Sequence, residues 1–140
     1  MKLNPNKTKY MIINFCSSYQ FKTRLSVKSS LLEQVSETRL LGVIIQEDLS
    51  WNKNTRALVK KAYSRMVILR KLVEFEVNKS DMITIYILFI RSVLEKSSVV
   101  WSSSLTLEQI ASLEKVQKVA LRIICQNGYI SYDNALSISK

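Results

Sequence analysis

The sequence predicts an α+β fold in which a small antiparallel sheet comes first and a cluster of three to four helices follows. Three observations carry that expectation. Apolar residues fall in short, partly alternating, β-branched runs as far as Gln46, and from Asn52 their period lengthens to that of a helix. Only two Gly and one Pro stand among the 140 residues, so little interrupts long helices. The change of period divides the chain into residues 1–50 and residues 51–140. Hydrophobic residues make up 47% and charged residues 23%, a globular composition of a length suited to one ordinary domain.

Taken in order, Lys9 to Phe15 (KYMIINF) and Arg24 to Val27 (RLSV) read as strands, separated by a polar stretch around Ser17 and Ser18. Leu31 to Val35 and Thr38 to Gln46 continue the pattern, giving three or four antiparallel strands. Glu47 and Asp48 then fall in a turn. On a helical wheel from Asn52, Leu58, Val59, Ala62, Met66, Leu69 and Val73 share one face, and Lys53, Arg56, Lys60 and Lys71 share the opposite one. Ser80 is expected to cap a second helix, with Asp81 in the first turn where a negative charge suits the helix dipole. Its body, MITIYILFIRSVL, is apolar nearly all round and is expected to be packed on several sides.

The third helix has the clearest start. Thr106 with Gln109 three residues on forms a capping box, and Leu105 with Ile110 a hydrophobic staple. Ile110, Leu113, Val116, Ala120, Leu121 and Ile124 line its apolar face, Lys115, Lys118 and Arg122 the other, and Asn127 with Gly128 supplies the stop. A short helix through Tyr132 to Ser139 is expected to follow.

Residue chemistry narrows the function. The chain has no histidine, which removes imidazole bases, His-containing triads and His-ligated metals from what it can do alone. Cys16 and Cys125 are far apart and belong to no CxxC pair, so both are expected to be small core residues. Two-metal phosphoryl chemistry needs clustered carboxylates, yet the three aspartates, Asp48, Asp81 and Asp133, are scattered. Gly42 stands outside any phosphate-loop spacing. No catalytic residue, metal ligand or cofactor is therefore assigned to this chain. The apolar run Met82 to Ile90 is nine residues long, against the roughly twenty a bilayer span needs, so no membrane association is expected. The amino terminus MKLNPNKTKY lacks the apolar centre of a signal peptide, and an intracellular location is expected.

Charge points the other way, toward a partner. Twenty-one basic residues against eleven acidic ones give a formal charge of +10, which attracts polyanions. The densest run of one sign is Lys53, Arg56, Lys60, Lys61, Arg65, Arg70 and Lys71, with no acid between Asn52 and Val73. That is the pattern of a surface that tracks phosphates, and an RNA/DNA or DNA duplex is the expected partner. Trp51 and Tyr63 lie beside the run and could stack on bases or seal the core.

Four stretches in order, LNPNKTKYMIINF, RLLGVIIQEDLSW, SVLEKSSVVW and LEKVQKVALRII, together resemble the reverse transcriptase of non-LTR (LINE-type, Jockey-like) retrotransposons. The resemblance covers Leu3 to about Ala135 and only the later part of that polymerase. It implies that residues 1–50 are a partial palm and residues 51–140 a thumb. A lysine near the incoming nucleotide would be Lys7 or, as the second choice, Lys9. The hairpin that grips the primer end would hold Leu41, Gly42 and Val43, Gly42 letting a backbone come close to a nucleic-acid strand. Trp51 would then wedge the first thumb helix against the palm. The thumb's basic face would be Lys53, Arg56, Lys60, Lys61, Arg65 and Lys71.

The departures from the family define the expected capability. Its paired aspartates, which hold magnesium in the intact enzyme, should precede the lysine motif, and the 140 residues contain no such pair. Relatives often carry tyrosine where Lys96 stands and proline near Ser92. The expectation is a truncated fragment of an RNA-directed DNA polymerase, unable to polymerise alone, that binds duplex phosphates through its first thumb helix. The alternative is a non-catalytic interaction protein or decayed relic that self-associates through an exposed sheet edge or docks a partner chain.

Overall fold

A computed structural model of the chain describes residues 4, 7–15, 24–27 and 29–126. Cys16, the Asn127 and Gly128 stop and the helix expected through Tyr132 to Ser139 lie outside the described residues. The fold is α+β, strands first and helices second. It divides into two compact units, Met1–Asn54 and Thr55–Lys140.

Among the described residues of the first unit the strands are shorter than the sequence suggests and occur as three separate pairs. β1 (Lys9–Tyr10) runs parallel to β4 (Glu33–Gln34), β2 (Ser26–Val27) antiparallel to β3 (Ser30–Leu31), and β5 (Glu37–Leu40) antiparallel to β6 (Val43–Gln46). The parallel pair departs from the all-antiparallel expectation. Lys9 lies opposite Glu33, and their side chains form an ion pair at 2.9 Å. The single strand expected from Thr38 to Gln46 is a hairpin, with Leu40 opposite Val43 and Glu37 opposite Gln46. Two residues, Leu41 and Gly42, make its turn, with φ of 49° and 89°. Successive positive φ values are what a two-residue hairpin loop needs to match the twist of its strands. Gly42 adopts this freely, whereas Leu41 costs about 1–2 kcal/mol for the close approach of its Cβ.

The second unit is built on one core. Ala62, Met66 and Leu69 from α1 (Asn52–Glu74) meet Met82 from α2 (Lys79–Ile85), Tyr86 and Ile90 from a π-helical turn (Tyr86–Arg91) and Leu94 from α3 (Ser92–Leu94). Val116, Ala120, Leu121, Ile124 and Cys125 from α5 (Leu107–Cys125) complete it. Between α3 and α5 lie α4 (Ser98–Trp101) and a short 3₁₀ turn (Ser102–Ser104). Trp101 is buried, and its indole Nε1 donates to the carbonyl of Lys96 at 3.1 Å, so burial leaves no polar atom unpaired.

Helix ends show where local chemistry decides. Thr106 caps α5 with both halves of the capping box formed, through Gln109 N–H to Thr106 Oγ1 and Thr106 N–H to Gln109 Oε1. Gln109 is buried there, while Ile110, expected in the core, is exposed. α2 starts earlier than Ser80 predicts. Asn78 is the cap, its Oδ1 accepting from Asp81 N–H at 2.9 Å and its Nδ2 donating to Asp81 Oδ2 at 2.6 Å. Ser80 is inside the helix, where its carbonyl accepts from the Thr84 hydroxyl. α1 ends in a Schellman arrangement: Glu76 N–H donates to Val73 O, Val77 N–H donates to Leu72 O, and Glu76 sits at φ 53°. Leu72 and Val77 both pack against the core, supplying the apolar contact that accompanies such an end.

The expectation that MITIYILFIRSVL packs on several sides is corrected by the π turn. In an α-helix a residue four positions on is about 40° out of line. The wider π turn, seen in the bond from Ser92 N–H to Ile87 O, takes up that drift. Met82, Tyr86, Ile90 and Leu94 therefore stay on one buried face, and Ile87, Leu88 and Phe89 point outward.

Candidate nucleic-acid interface

The cationic face of α1 follows from helical spacing. Arg56, Lys60 and Lys71 are exposed, and Lys71 lies about five whole turns beyond Lys53. At 1.5 Å per residue the stripe from Lys53 to Lys71 is roughly 27 Å long, with Arg56 and Lys60 about 6 Å apart along the axis. The first turn of α1 contains no acid, so its early cations face the positive end of the helix dipole. That arrangement works against helix stability and suits an external anion.

The cations of the run do not share one environment. Lys53 is ion-paired to Glu37 of β5, and both side chains are about half exposed, so the pair is worth little and a phosphate can compete for the ammonium. Arg65 is half-buried and donates through Nη1 to the carbonyl of Phe89 in the π turn. It therefore braces α2 and the π turn against α1. Among the described residues Arg56, Lys60, Lys61, Arg70 and Lys71 enter no ion pair, and all five are exposed. Lys61 lies to the side of the stripe, about 80° round the helix from Lys53. Of the two aromatic candidates, Trp51 is buried and unable to stack on a base, and Tyr63 is half-buried against the core.

The start of α1 is held by the hairpin of the first unit. Lys53 N–H donates to Gln46 Oε1 at 3.0 Å, so a strand side chain satisfies a free amide of the helix terminus. In return the buried Asn54 accepts from Ile44 N–H through Oδ1 at 3.2 Å. Between them Asp48 Oδ1 accepts from Ser50 N–H at 2.9 Å, closing the turn that the sequence places there. The backbone and side-chain hydrogen bonds from Ser50 hold the Asp48 carboxyl below its ordinary value of 3.8.

Lys7 and Lys9 are both exposed and sit close together in the chain, but their surroundings differ. Lys7 N–H closes a turn onto Asn4 O at 3.1 Å, whereas Lys9 is tied to Glu33. Of the hairpin residues, Val43 is buried, Gly42 is half-buried, and Leu41 is 88% exposed at the tip. Among the described residues no three groups of the metal-ligating types come together, and no helix is long and apolar enough to cross a membrane.

Sequence reasoning missed the hydrogen-bond partners that sort these groups. Gln46, Glu37 and the carbonyl of Phe89 are brought to Lys53 and Arg65 by chain folding, and nothing in the local pattern signals them. No family model, curated protein or solved structure matches the chain.

Proposed function

We propose that this chain is the end of the palm and the thumb of a non-LTR retrotransposon reverse transcriptase, and that α1 holds a nucleic-acid duplex by its backbone phosphates. The observation that carries the reading is the exposed row of Lys53, Arg56, Lys60 and Lys71 on one face of a helix with no acid before Glu74. Such a row offers charge at regular spacing and no planar or grooved site for a base, which suits contacts that ignore sequence. The four-stretch resemblance supplies the polymerase context, and the Leu41 and Gly42 turn suits a hairpin that meets a strand closely. Lys7 is the better candidate for the nucleotide-proximal lysine, because Glu33 competes for Lys9.

Catalysis is not part of the proposal, since these residues offer no paired aspartates to hold magnesium. The test is binding of the purified chain to a fluorescently labelled duplex across a salt series. If about five phosphates are neutralised, log affinity falls with log salt with a slope near −4 to −5. A flat dependence removes the proposal, and magnesium-dependent primer extension by the purified chain overturns the non-catalytic assignment.

A further inference from the structure

The two edges of the β5–β6 hairpin meet different surroundings. β6 is covered: its Ile44 N–H donates to the Asn54 side chain, and its Gln46 Oε1 accepts from Lys53 N–H. β5 is exposed at all four residues, Glu37, Thr38, Arg39 and Leu40, and among the described residues it pairs with β6 alone. A cleft of about 290 Å³ is lined, among the described residues, by Glu37, Thr38 and Arg39, with Ile44 opposite Arg39. Successive residues of a strand point to opposite faces, so a cleft that all three line follows the edge of β5. The hydrogen-bond phase of that edge is fixed by two neighbours. Ile44 N–H points away from β5 to Asn54, and Glu47 N–H donates across the hairpin to Ser36 O. Ladder bonds alternate along an antiparallel pair, so Arg39–Ile44 and Glu37–Gln46 are the pairs that exchange none. The N–H and C=O of Glu37 and Arg39 therefore point outward, and among the described residues nothing bonds to them.

We infer that β5 pairs with β5 of a second copy of this chain, antiparallel about a two-fold axis at Thr38. In that register Glu37 lies opposite Arg39 of the second copy, and Arg39 opposite its Glu37, as an isologous contact requires. Each such pair joins outward main-chain groups, exchanging both ladder bonds, and sets a carboxylate beside a guanidinium. The two Thr38 side chains meet on the other face, a favourable cross-strand pair. Charge selects the register. Centring the pairing on Glu37 or on Arg39 keeps the hydrogen-bond phase but sets like charges directly opposite, which is destabilising. The neighbouring charges are compatible with the contact. Lys53 lies on Glu37, whose two carboxylate oxygens can accept from both cations, and Asp48 is turned onto Ser50. From Ser36 to Asp48 the acids Glu37, Glu47 and Asp48 stand against Arg39, so the hairpin does not share the chain's cationic excess. At about 0.15 M salt, charges more than roughly 8 Å apart are largely screened, and the +10 of each chain weighs little against pairs in contact. The inference goes beyond the duplex reading and uses neither Arg56, Lys60 nor Lys71.

The test is sedimentation equilibrium of the full chain at that salt. A short edge makes a weak contact, so a monomer–dimer equilibrium with a dissociation constant between about 10 μM and 1 mM is expected. Glu37→Lys and Arg39→Glu each place like charges opposite in both pairs and should weaken dimerisation about tenfold or more. An equimolar mixture of the two variants sets opposite charges together again and should recover most of the parent's affinity. Thr38→Cys gives a second reading that leaves the charges alone. Across the axis the two introduced thiols sit on Cα atoms about 4.5 Å apart, within disulfide range, and should form a bridged dimer on oxidation. Leu40→Cys, roughly 14 Å from its mate in this register, should not. The parent, which carries Cys16 and Cys125, sets the background for both. A chain still monomeric at about 1 mM overturns the inference. So do single charge variants that dimerise as the parent does, a mixture that recovers nothing, or equal bridging by Thr38→Cys and Leu40→Cys.

Discussion

The two units use apolar residues in opposite ways. Among the described residues of the helical unit, twelve buried ones from α1, α2, the π turn, α3 and α5 form one cluster, and Tyr86, Met66 and Leu69 are wholly enclosed. Among the described residues of the strand unit the buried apolar ones are Val43 and Trp51, while Leu31, Leu40 and Leu41 face solvent. Its organisation rests instead on polar ties: Lys9 to Glu33, Lys53 to Glu37, Gln46 to Lys53 N–H, and Asn54 to Ile44 N–H. Exposed ion pairs and hydrogen bonds each contribute on the order of 1 kcal/mol or less, whereas each large side chain in a core contributes several times that. The helical unit therefore carries most of the stability.

The largest expected effect tests that contrast. Leu69→Ala should cost about 2–5 kcal/mol in denaturant unfolding, by lost burial and the cavity left behind. Leu40→Ala, at a residue 59% exposed, should stay within about 0.5 kcal/mol. Similar costs for the two would mean that the hairpin is packed as tightly as the helices, and the contrast would fail.

Caps come next in size. Thr106→Ala should destabilise the chain by about 0.5–2 kcal/mol, because it removes the acceptor for the N–H of the buried Gln109 and so breaks one half of the capping box. Thr106→Ser should restore most of the loss. Glu76→Gly should stabilise by about 1 kcal/mol, since it relieves a non-glycine residue at φ 53° and removes a negative charge from the helix end that disfavours it. A destabilised Glu76→Gly protein would show that the side chain makes a contact worth more than the strain.

The smallest effect belongs to the strand unit. The Asp48 carboxyl is held below its ordinary value by Ser50, so its contribution to stability is present above pH 3.8 and is lost as pH falls through the lower folded value. Asp48→Asn keeps an acceptor for Ser50 N–H and removes the titration. The acid limb of its stability curve should be shallower than that of the parent protein, and an identical limb would detach Asp48 from the acid response.

What the sequence reveals follows the same division. The α+β order, the cationic face of α1 and the Thr106 cap are legible because each depends on the spacing of residues within one continuous stretch of chain. Asn78 and Ser80 are equally good cap residues by type, and only the reciprocal bond with Asp81 distinguishes them. The π turn is hidden because Met82 to Leu94 is apolar at so many positions that any helical register can find a buried face. Pairing of β1 with β4 joins residues more than twenty positions apart, and short strands carry too little pattern to specify it. For the interface, spacing gives the row of charges but not which cations are engaged elsewhere. Lys53 and Arg65 look like Lys60 in the sequence and differ from it only through Glu37 and Phe89.

The central claim is that the stripe on α1, rather than the net charge as a whole, holds the duplex. It is tested most directly by comparing the salt dependence of duplex binding for the parent chain and for the Arg56→Ala, Lys60→Ala, Lys71→Ala variant. Loss of three phosphate contacts should reduce the slope of log affinity against log salt by about 2.7. An unchanged slope in a variant with the parent's helical circular dichroism would contradict the account, because the phosphates would then be held elsewhere.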